Sequence, residues 1–326
     1  MSIYEDLEPA EFDEIETYDL FDRPSKVSLE DFAKPLGAGA TVRDLIGSLP
    51  KILAGGQLPE LASRIVEAKR AGKPVIWGLG GHVIKTGLSP ILIDLADRGF
   101  LTAVAVNGSV LVHDSEIAIA GSTSEDVDAT LGKGGFGAAR QTGEMLNRAA
   151  ERAKDESTGL GEAVGSELSR MEPEHREYSL LCACYERKIP VTAHLTIGAD
   201  IGHFHPGVNG AALGEATHRD FRLICSIVRK MNGGGVYLNF GSAVVLPEIF
   251  LKAVTVTRNL GNPLEGITTA NFDFIQHYRP LTNVVRRPTA DGAGKGFAIT
   301  GHHELNLPFL AAAIKSEAGM ETGQQS

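Results

Sequence analysis

The sequence predicts an α/β fold, doubly wound around a mostly parallel sheet with helices on both faces. Three observations predict it. Short β-prone apolar runs alternate with stretches of helical periodicity from Lys73 to the end of the chain. The central runs, such as Leu101 to Val106, are apolar without alternation, as in strands buried on both faces. Several runs end in small or polar residues, the place where open α/β sheets bind ligands.

The first 28 residues read as an acidic arm. There Glu5, Asp6, Glu8, Glu11, Asp13, Glu14, Glu16, Asp19 and Asp22 face almost no basic residues. One domain is expected over 29–326. Residues 29–70 read as helical. Ser28 can cap SLEDFAKPL, Thr41 can cap VRDLIGSLPKIL, and Leu61, Ile65 and Ala68 share one face of a third stretch. Lys73 to Gly121 is the stretch around which the rest is organised. Val75 to Trp77 is a strand, and Gly78-Leu79-Gly80-Gly81 lets the backbone turn sharply. Leu88, Ile91, Leu92 and Leu95 recur at helical spacing, and Arg98-Gly99 closes that helix. The strand Leu101 to Val106 then runs into Asn107-Gly108-Ser109, with His113-Asp114 just beyond. Gly78 and Gly80 match the first two glycines of the dinucleotide fingerprint, but Val83 stands where the third belongs. A close-packed strand-to-helix turn explains the same glycines.

Residues 138–171 read as one or two polar helices, suited to an inserted surface element. A strand follows from Val191 to Leu195, and a helix from Asp220 to Met231. Val236 to Phe240 is a strand that ends in Gly241-Ser242-Ala243. Pro247 marks a helix start that carries to Gly261. Ile267 to Phe274 is a strand, 279–296 an irregular loop, Phe297 to Thr300 a last strand and Leu305 to Ile314 a last helix.

Composition narrows the function. The 326 residues carry a net charge of −10, which argues against nucleic acid as the main partner. The three cysteines, Cys182, Cys184 and Cys225, lie in apolar surroundings without framework spacing and point to reduced thiols. The start MSIYEDLEPA has no signal pattern, and no apolar run reaches membrane-spanning length, so a cytoplasmic location is expected.

The segments GLGGHVIKTGL, VNGSVLVHD, IPVTAHLTIGADIG, GGGVYLNFGSAVV and ITTANFDF resemble, in order and turn chemistry, the deoxyhypusine synthase family. The first two also resemble the related archaeal-type ornithine cyclodeaminase domain, where a histidine-aspartate turn follows the same strand. The resemblance implies a Rossmann-like fold, NAD as cofactor, and a homotetramer with active sites between paired subunits. It implies oxidation of the secondary amine of spermidine, then transfer through an imine on an enzyme lysine. By position it places Gly80, Gly81 and His82 on the adenosine side of the cofactor. Asn107, Gly108, Ser109, His113, Gly241, Thr269 and Ala270 would face the cofactor. Three departures stand out. The family's threonine-aspartate-glycine aspartate falls on Ile197, with Asp200 near. The residues that handle the polyamine fall on Pro247 and Leu251. The serine-tryptophan-glycine-lysine loop is absent, with Arg286 nearest. These departures predict that the chain does not make deoxyhypusine.

The residues themselves offer further chemistry. Lys295 is the only lysine between Lys252 and Lys315, and its glycine neighbours would let it swing into a cleft and form an imine; a solvated surface lysine is the plain alternative. Arg286-Arg287 suit a carboxylate or pyrophosphate, or simply the rim. His203 and His205, with His302 or Glu304, have the chemistry of a metal site, but general acid or base work is the preferred role and no metal is expected. His113 and Asp114 form an acid/base pair at a strand end, or else an exposed histidine beside a capping aspartate. Three classes survive: an NAD-dependent enzyme on a polyamine or related small amine, an NAD-dependent cyclodeaminase-like enzyme on a basic amino acid, and a non-catalytic NAD-binding homologue.

Overall fold

The computed structural model describes residues 7–290 and 292–319; Glu5, Asp6 and Asp291 lie outside them. Six strands form one sheet: β1 (Val75–Leu79), β2 (Ala103–Asn107), β3 (Val191–His194), β4 (Val236–Phe240), β5 (Thr268–Asp273) and β6 (Lys295–Thr300). The order is β3-β2-β1-β4-β5-β6, and every pairing is parallel. The doubly wound α/β expectation is met, with the whole sheet parallel.

The helices follow the chain. Before the sheet come α1 (Val42–Ser48) and α2 (Leu53–Arg70). Thr41 caps α1 by accepting from the Asp44 N–H, while Asp44 reaches back to the Thr41 N–H at 2.8 Å. Between strands run α3 (Gly81–Lys85), α4 (Ser89–Asp97), α5 (Gly108–Ala120), α6 (Val127–Leu131), α7 (Arg140–Asp155), α8 (Leu160–Met171), α9 (Leu180–Glu186), α10 (Gly210–Arg229) and α11 (Val245–Asn259). A short turn, α12 (Tyr278–Pro280), continues as a π-helical turn over Leu281–Arg286, and α13 (His303–Glu317) ends the fold.

Strand alternation sends two side-chain sets to opposite faces. On one face Trp77, Leu79, Val104, Leu238, Phe240 and Phe272 join a core with α2, α4, α8 and α13. Phe240 stacks on Trp77 at 5.4 Å and on Phe272 at 4.2 Å. On the other face Ile76, Ala103 and Tyr237 pack under α10 and α11, with Tyr237 stacked on Phe250 at 3.8 Å. Both outer layers are needed, because a parallel strand buries both faces.

Three expectations need correction. SLEDFAKPL is not a helix: only Leu29–Asp31 turns, as a 3-10 turn, because nothing of the arm buries an apolar face, and residues 7–28 are exposed throughout. Residues 138–171 are not a surface insertion. They are α7 and α8, which bury Met145, Ala149, Val164 and Leu168 in the main core. Residues 279–296 are not an irregular loop, since the π-helical turn buries Thr282, Asn283 and Val284 against the sheet.

The sheet edge at β3 is closed by side chains of α10. Asp220 Oδ2 accepts from the Ala193 N–H at 2.8 Å and from the Gly161 N–H at 2.9 Å. Thr217 accepts from the Leu195 N–H and donates to the Ala193 carbonyl. These groups satisfy backbone that an edge strand otherwise leaves open.

Candidate functional site

The strand order reverses direction between β1 and β4, which opens a crevice at the carboxyl ends of these strands. Backbone meets backbone there. The Gly80 N–H donates to the Phe240 carbonyl at 2.8 Å. A β-carbon on Gly80 would lie 2.1 Å from the Gly241 carbonyl oxygen, so no other residue fits without displacing a strand end. Gly241 itself turns with φ +68, where glycine is favoured.

The next turns close in from the β2 side. Asn107 caps α5, and Ser109 Oγ donates to its Oδ1 at 2.8 Å. A β-carbon on Gly81 would lie 2.5 Å from Ser109 Oγ and 3.1 Å from His113 Cδ2. A β-carbon on Gly108 would lie 2.4 Å from the Asp200 carboxyl carbon. The structure thus brings Gly80, Gly81, Asn107, Gly108, Ser109, His113, Asp200 and Gly241 to one edge. His82, on α3, is exposed beside them, with its ring 5.7 Å from that of His303.

A cavity of about 230 Å³ opens over α5, lined by Lys85, Ser109, His113, Glu116, Glu125 and Asp200 among others. Three carboxylates against one ammonium give it a negative lining. His113 is half-buried within it. Its Nδ1 lies 2.8 Å from Thr123 Oγ1, and that hydroxyl donates to Glu116 Oε2. Burial first, and the charge of Lys85 second, push the imidazole down to about 4. Glu116 Oε2 lies 4.0 Å from Nδ1, and the ring is neutral at neutral pH. Burial likewise pushes the Asp200 carboxyl up, against the N–H it receives from Thr196.

Other candidates fall elsewhere. Asp114 is fully buried and faces away from the crevice chemistry. It accepts from Ser179 Oγ and from the Leu180 and Leu181 N–H groups, and so caps α9. Burial pushes its carboxyl up to about 6 while these donors pull it down. Its partners are structural, which corrects its assignment as an acid or base. Lys295 is also corrected. It is the first residue of β6, ion-paired with Glu60, at the amino end of the strand. The carboxyl end is five residues on, roughly 16 Å away. Its backbone is paired with Thr268 as part of β6, so Lys295 does not ride on a loop. Thr269 and Ala270 are buried in mid-strand and pair with Tyr237 and Leu238. They lie roughly 10–13 Å short of the carboxyl edge, which Asp273 occupies.

His302 and Glu304 do lie at the carboxyl edge, but at its surface, with side chains 68% and 47% exposed and 3.8 Å apart. They follow β6, four strands from His113, a separation on the order of 19 Å. The neighbouring His303 points inward instead, at 3% exposure, with its Nε2 beside Gly241. Burial lowers its pKa. His194, at the end of β3, is a second buried neutral imidazole, pushed down by burial to about 3. Sequence reasoning missed His303 and His194; strand-end position was the available signal. His203 and His205 sit beside α7, with His205 Nδ1 at 3.1 Å from Asn147 Nδ2, far from His302. Among the described residues no group of three His, Cys, Asp or Glu side chains could hold a metal ion, and no helix is long and apolar enough to cross a membrane.

No family model matches the chain, and no curated protein matches it. Solved structures do. A conserved LOR/SDH protein from Methanococcus maripaludis S2 is 15% identical with a TM-score of 0.50, over 80% of this chain and 69% of that one. AgrE, solved with L-arginine, is 15% identical with a TM-score of 0.51, over 85% of this chain and 34% of that one. AgrE has also been solved with ornithine and NAD+. A protein from Entamoeba histolytica assigned as a deoxyhypusine synthase is 11% identical with a TM-score of 0.47, over 84% of this chain and 93% of that one. The chain therefore spans about a third of the length of AgrE. At these identities the likeness is one of fold, and the fold is the Rossmann-like one that the resemblance to deoxyhypusine synthases and the related cyclodeaminase domain implies.

Proposed function

We propose that the chain is an NAD-dependent enzyme that oxidises a small cationic amine, with His113 as proton acceptor. One observation carries the reading. His113 is a neutral imidazole on a negatively lined cavity, beside close-packed glycine turns at the strand ends where an added β-carbon would clash with the chain. Gly81 at the start of α3, with the turns at Gly80 and Gly241 that place it, would hold the cofactor; the Gly80 and Gly241 N–H groups are already bonded to the Phe240 and Phe272 carbonyls, which fixes the turns. NAD, when bound, supplies a hydride acceptor. The solved complex of AgrE with ornithine and NAD+ lends the reading support by fold. Asp200 and Glu125 offer carboxylates to the ammonium of a substrate, and the cavity suits a small molecule. His113 takes the proton that the amine loses.

A basic amino acid is the second substrate reading, favoured by Lys85. It is the one cation on the cavity, placed to meet a carboxylate while the acids meet the amino groups. Pro247 and Leu251 fall in and after the first turn of α11 and bring no polar group to a polyamine, so deoxyhypusine synthesis is not proposed.

Calorimetry on protein freed of nucleotide should show NAD binding, and a screen of diamines and basic amino acids should show NAD reduction. His113→Gln should keep NAD affinity and lose on the order of 100- to 10,000-fold in turnover. Lys295→Ala, at the opposite edge, should match the wild type in both. Absence of NAD binding would end the cofactor reading, and full turnover in His113→Gln would end the role of His113.

The assembly proposed is a homotetramer. Phe274, Ile275, Tyr278 and Leu305 are at least half exposed near the carboxyl ends of β5 and β6, as a surface awaiting a second copy would be. Light scattering should report four chains at micromolar concentration, and a monomer would count against it.

A further inference from the structure

We propose that Glu116 and Thr123 complete a three-member array with His113, in which the threonine hydroxyl fixes the imidazole tautomer and the carboxylate steadies the charged ring. The proposal rests on the reading of His113 as proton acceptor. Its argument is one of donors and acceptors. An ionised carboxylate only accepts. The single proton of Thr123 Oγ1 is therefore donated to Glu116 Oε2. What Thr123 turns toward His113 Nδ1, 2.8 Å away, is a lone pair. Nδ1 must then carry the ring proton, and Nε2 keeps its own lone pair.

Nε2 makes no hydrogen bond among the described residues. Its ring neighbour Cδ2 is turned to the Gly81 end of the crevice, where the ring lines the cavity. The proton-accepting nitrogen is thus on the side of the substrate. When Nε2 takes a proton, the N–H bond of the substrate breaks and an Nε2–H bond forms. The electron pair stays on the substrate nitrogen, and the ring becomes cationic. Glu116 Oε2, 4.0 Å from Nδ1, then faces a positive charge. Thr142 Oγ1 donates to the other carboxylate oxygen at 3.2 Å and holds it in place. Glu116 and Thr123 act through His113, so they are positioning residues. A hydroxyl between imidazole and carboxylate does the work that direct contact does in other arrays of this kind.

The three groups come from two stretches. His113 and Glu116 are one helical turn apart on α5, and Thr123 returns to them after the chain reverses at Gly121. That return places Thr123 between them.

The tautomer is read directly by long-range proton–nitrogen correlation on nitrogen-labelled protein at about pH 7. The His113 signals are assigned by their loss in His113→Gln. No NAD and no substrate are present, so the result stands apart from the enzyme reading. The wild type should show a protonated Nδ1 and an unprotonated Nε2. Thr123→Val should shift the ring toward the Nε2–H form, and Thr123→Ser should restore the wild-type pattern. In the proposed reaction Thr123→Val should lose roughly 100-fold in turnover at unchanged NAD affinity. An Nε2–H ring in the wild type, which needs no variant to fold, would overturn the proposal. So would a Thr123→Val spectrum identical to the wild type.

Discussion

Gly80→Ala should abolish NAD binding and cost about 3 kcal/mol or more of stability. The added methyl would meet the Gly241 carbonyl oxygen at 2.1 Å, its carbon at 2.6 Å and the Ser242 nitrogen at 3.2 Å. All three are backbone atoms, so no rotamer change relieves the clash. Relief requires the end of β1 or the turn after β4 to move, and both form the proposed cofactor cradle. Gly214→Ala is the matched control. It lies inside α10 with nothing within 4 Å of its added carbon, and should be neutral or stabilising by up to ~1 kcal/mol. Calorimetry and urea unfolding on both variants decide the matter. A Gly80→Ala protein with wild-type NAD affinity would remove the crevice from consideration.

Asp220→Ala should destabilise the fold by on the order of 3 kcal/mol, because it strands the Ala193 and Gly161 N–H groups without an acceptor. The same residue gives stability a pH dependence. Burial raises its carboxyl from 3.8 to about 7, outweighing the N–H groups of Ala193, Gly161 and Leu160 that pull the other way. The folded chain holds this proton more tightly than the unfolded chain does. The contribution is therefore fully present below about pH 4 and is lost as pH rises to about 7. Between about pH 5 and 8 the wild type should lose roughly 3 kcal/mol through this group. Asp220→Asn has no proton to lose and should show a correspondingly flatter profile in urea unfolding. Equal slopes in the two proteins would refute the assignment.

Much of the fold was legible because its signals are local. Val75 to Trp77 and Val236 to Phe240 are apolar runs with sharp ends, and Thr41 and Asn107 are capping residues at real helix starts. The turns at Gly80-Gly81 and Asn107-Gly108-Ser109 were legible for the same reason: small residues after an apolar run. What failed was set by distant contacts or by phase. Leu281–Arg286, between Pro280 and Pro288, reads as loop until α11 and the sheet bury Val284. Lys295 and Gly296 look like the end of a loop, because an edge strand has a weak apolar signal; only pairing with Thr268 and Thr269 reveals β6. In TTANFDF the sequence does not mark which residue ends the strand, and a three-residue difference moves a side chain about 10 Å along it. Which of His302 and His303 enters the core depends on where α13 begins, a matter of one residue. The partnership of Thr123 with Glu116 and His113 depends on a reversal that no spacing encodes.

The aromatic stack within the sheet has a spectroscopic consequence. Trp77 is the only tryptophan of the chain, it has no solvent exposure, and its indole N–H donates to the Phe100 carbonyl at 2.9 Å. It sits on β1, three residues before Gly80, with its ring against Phe240 at the end of β4. The intrinsic fluorescence of the protein therefore comes from a single dry indole beneath the crevice. It offers an optical probe of that one joint between strands, with no label and no competing emitter of its kind.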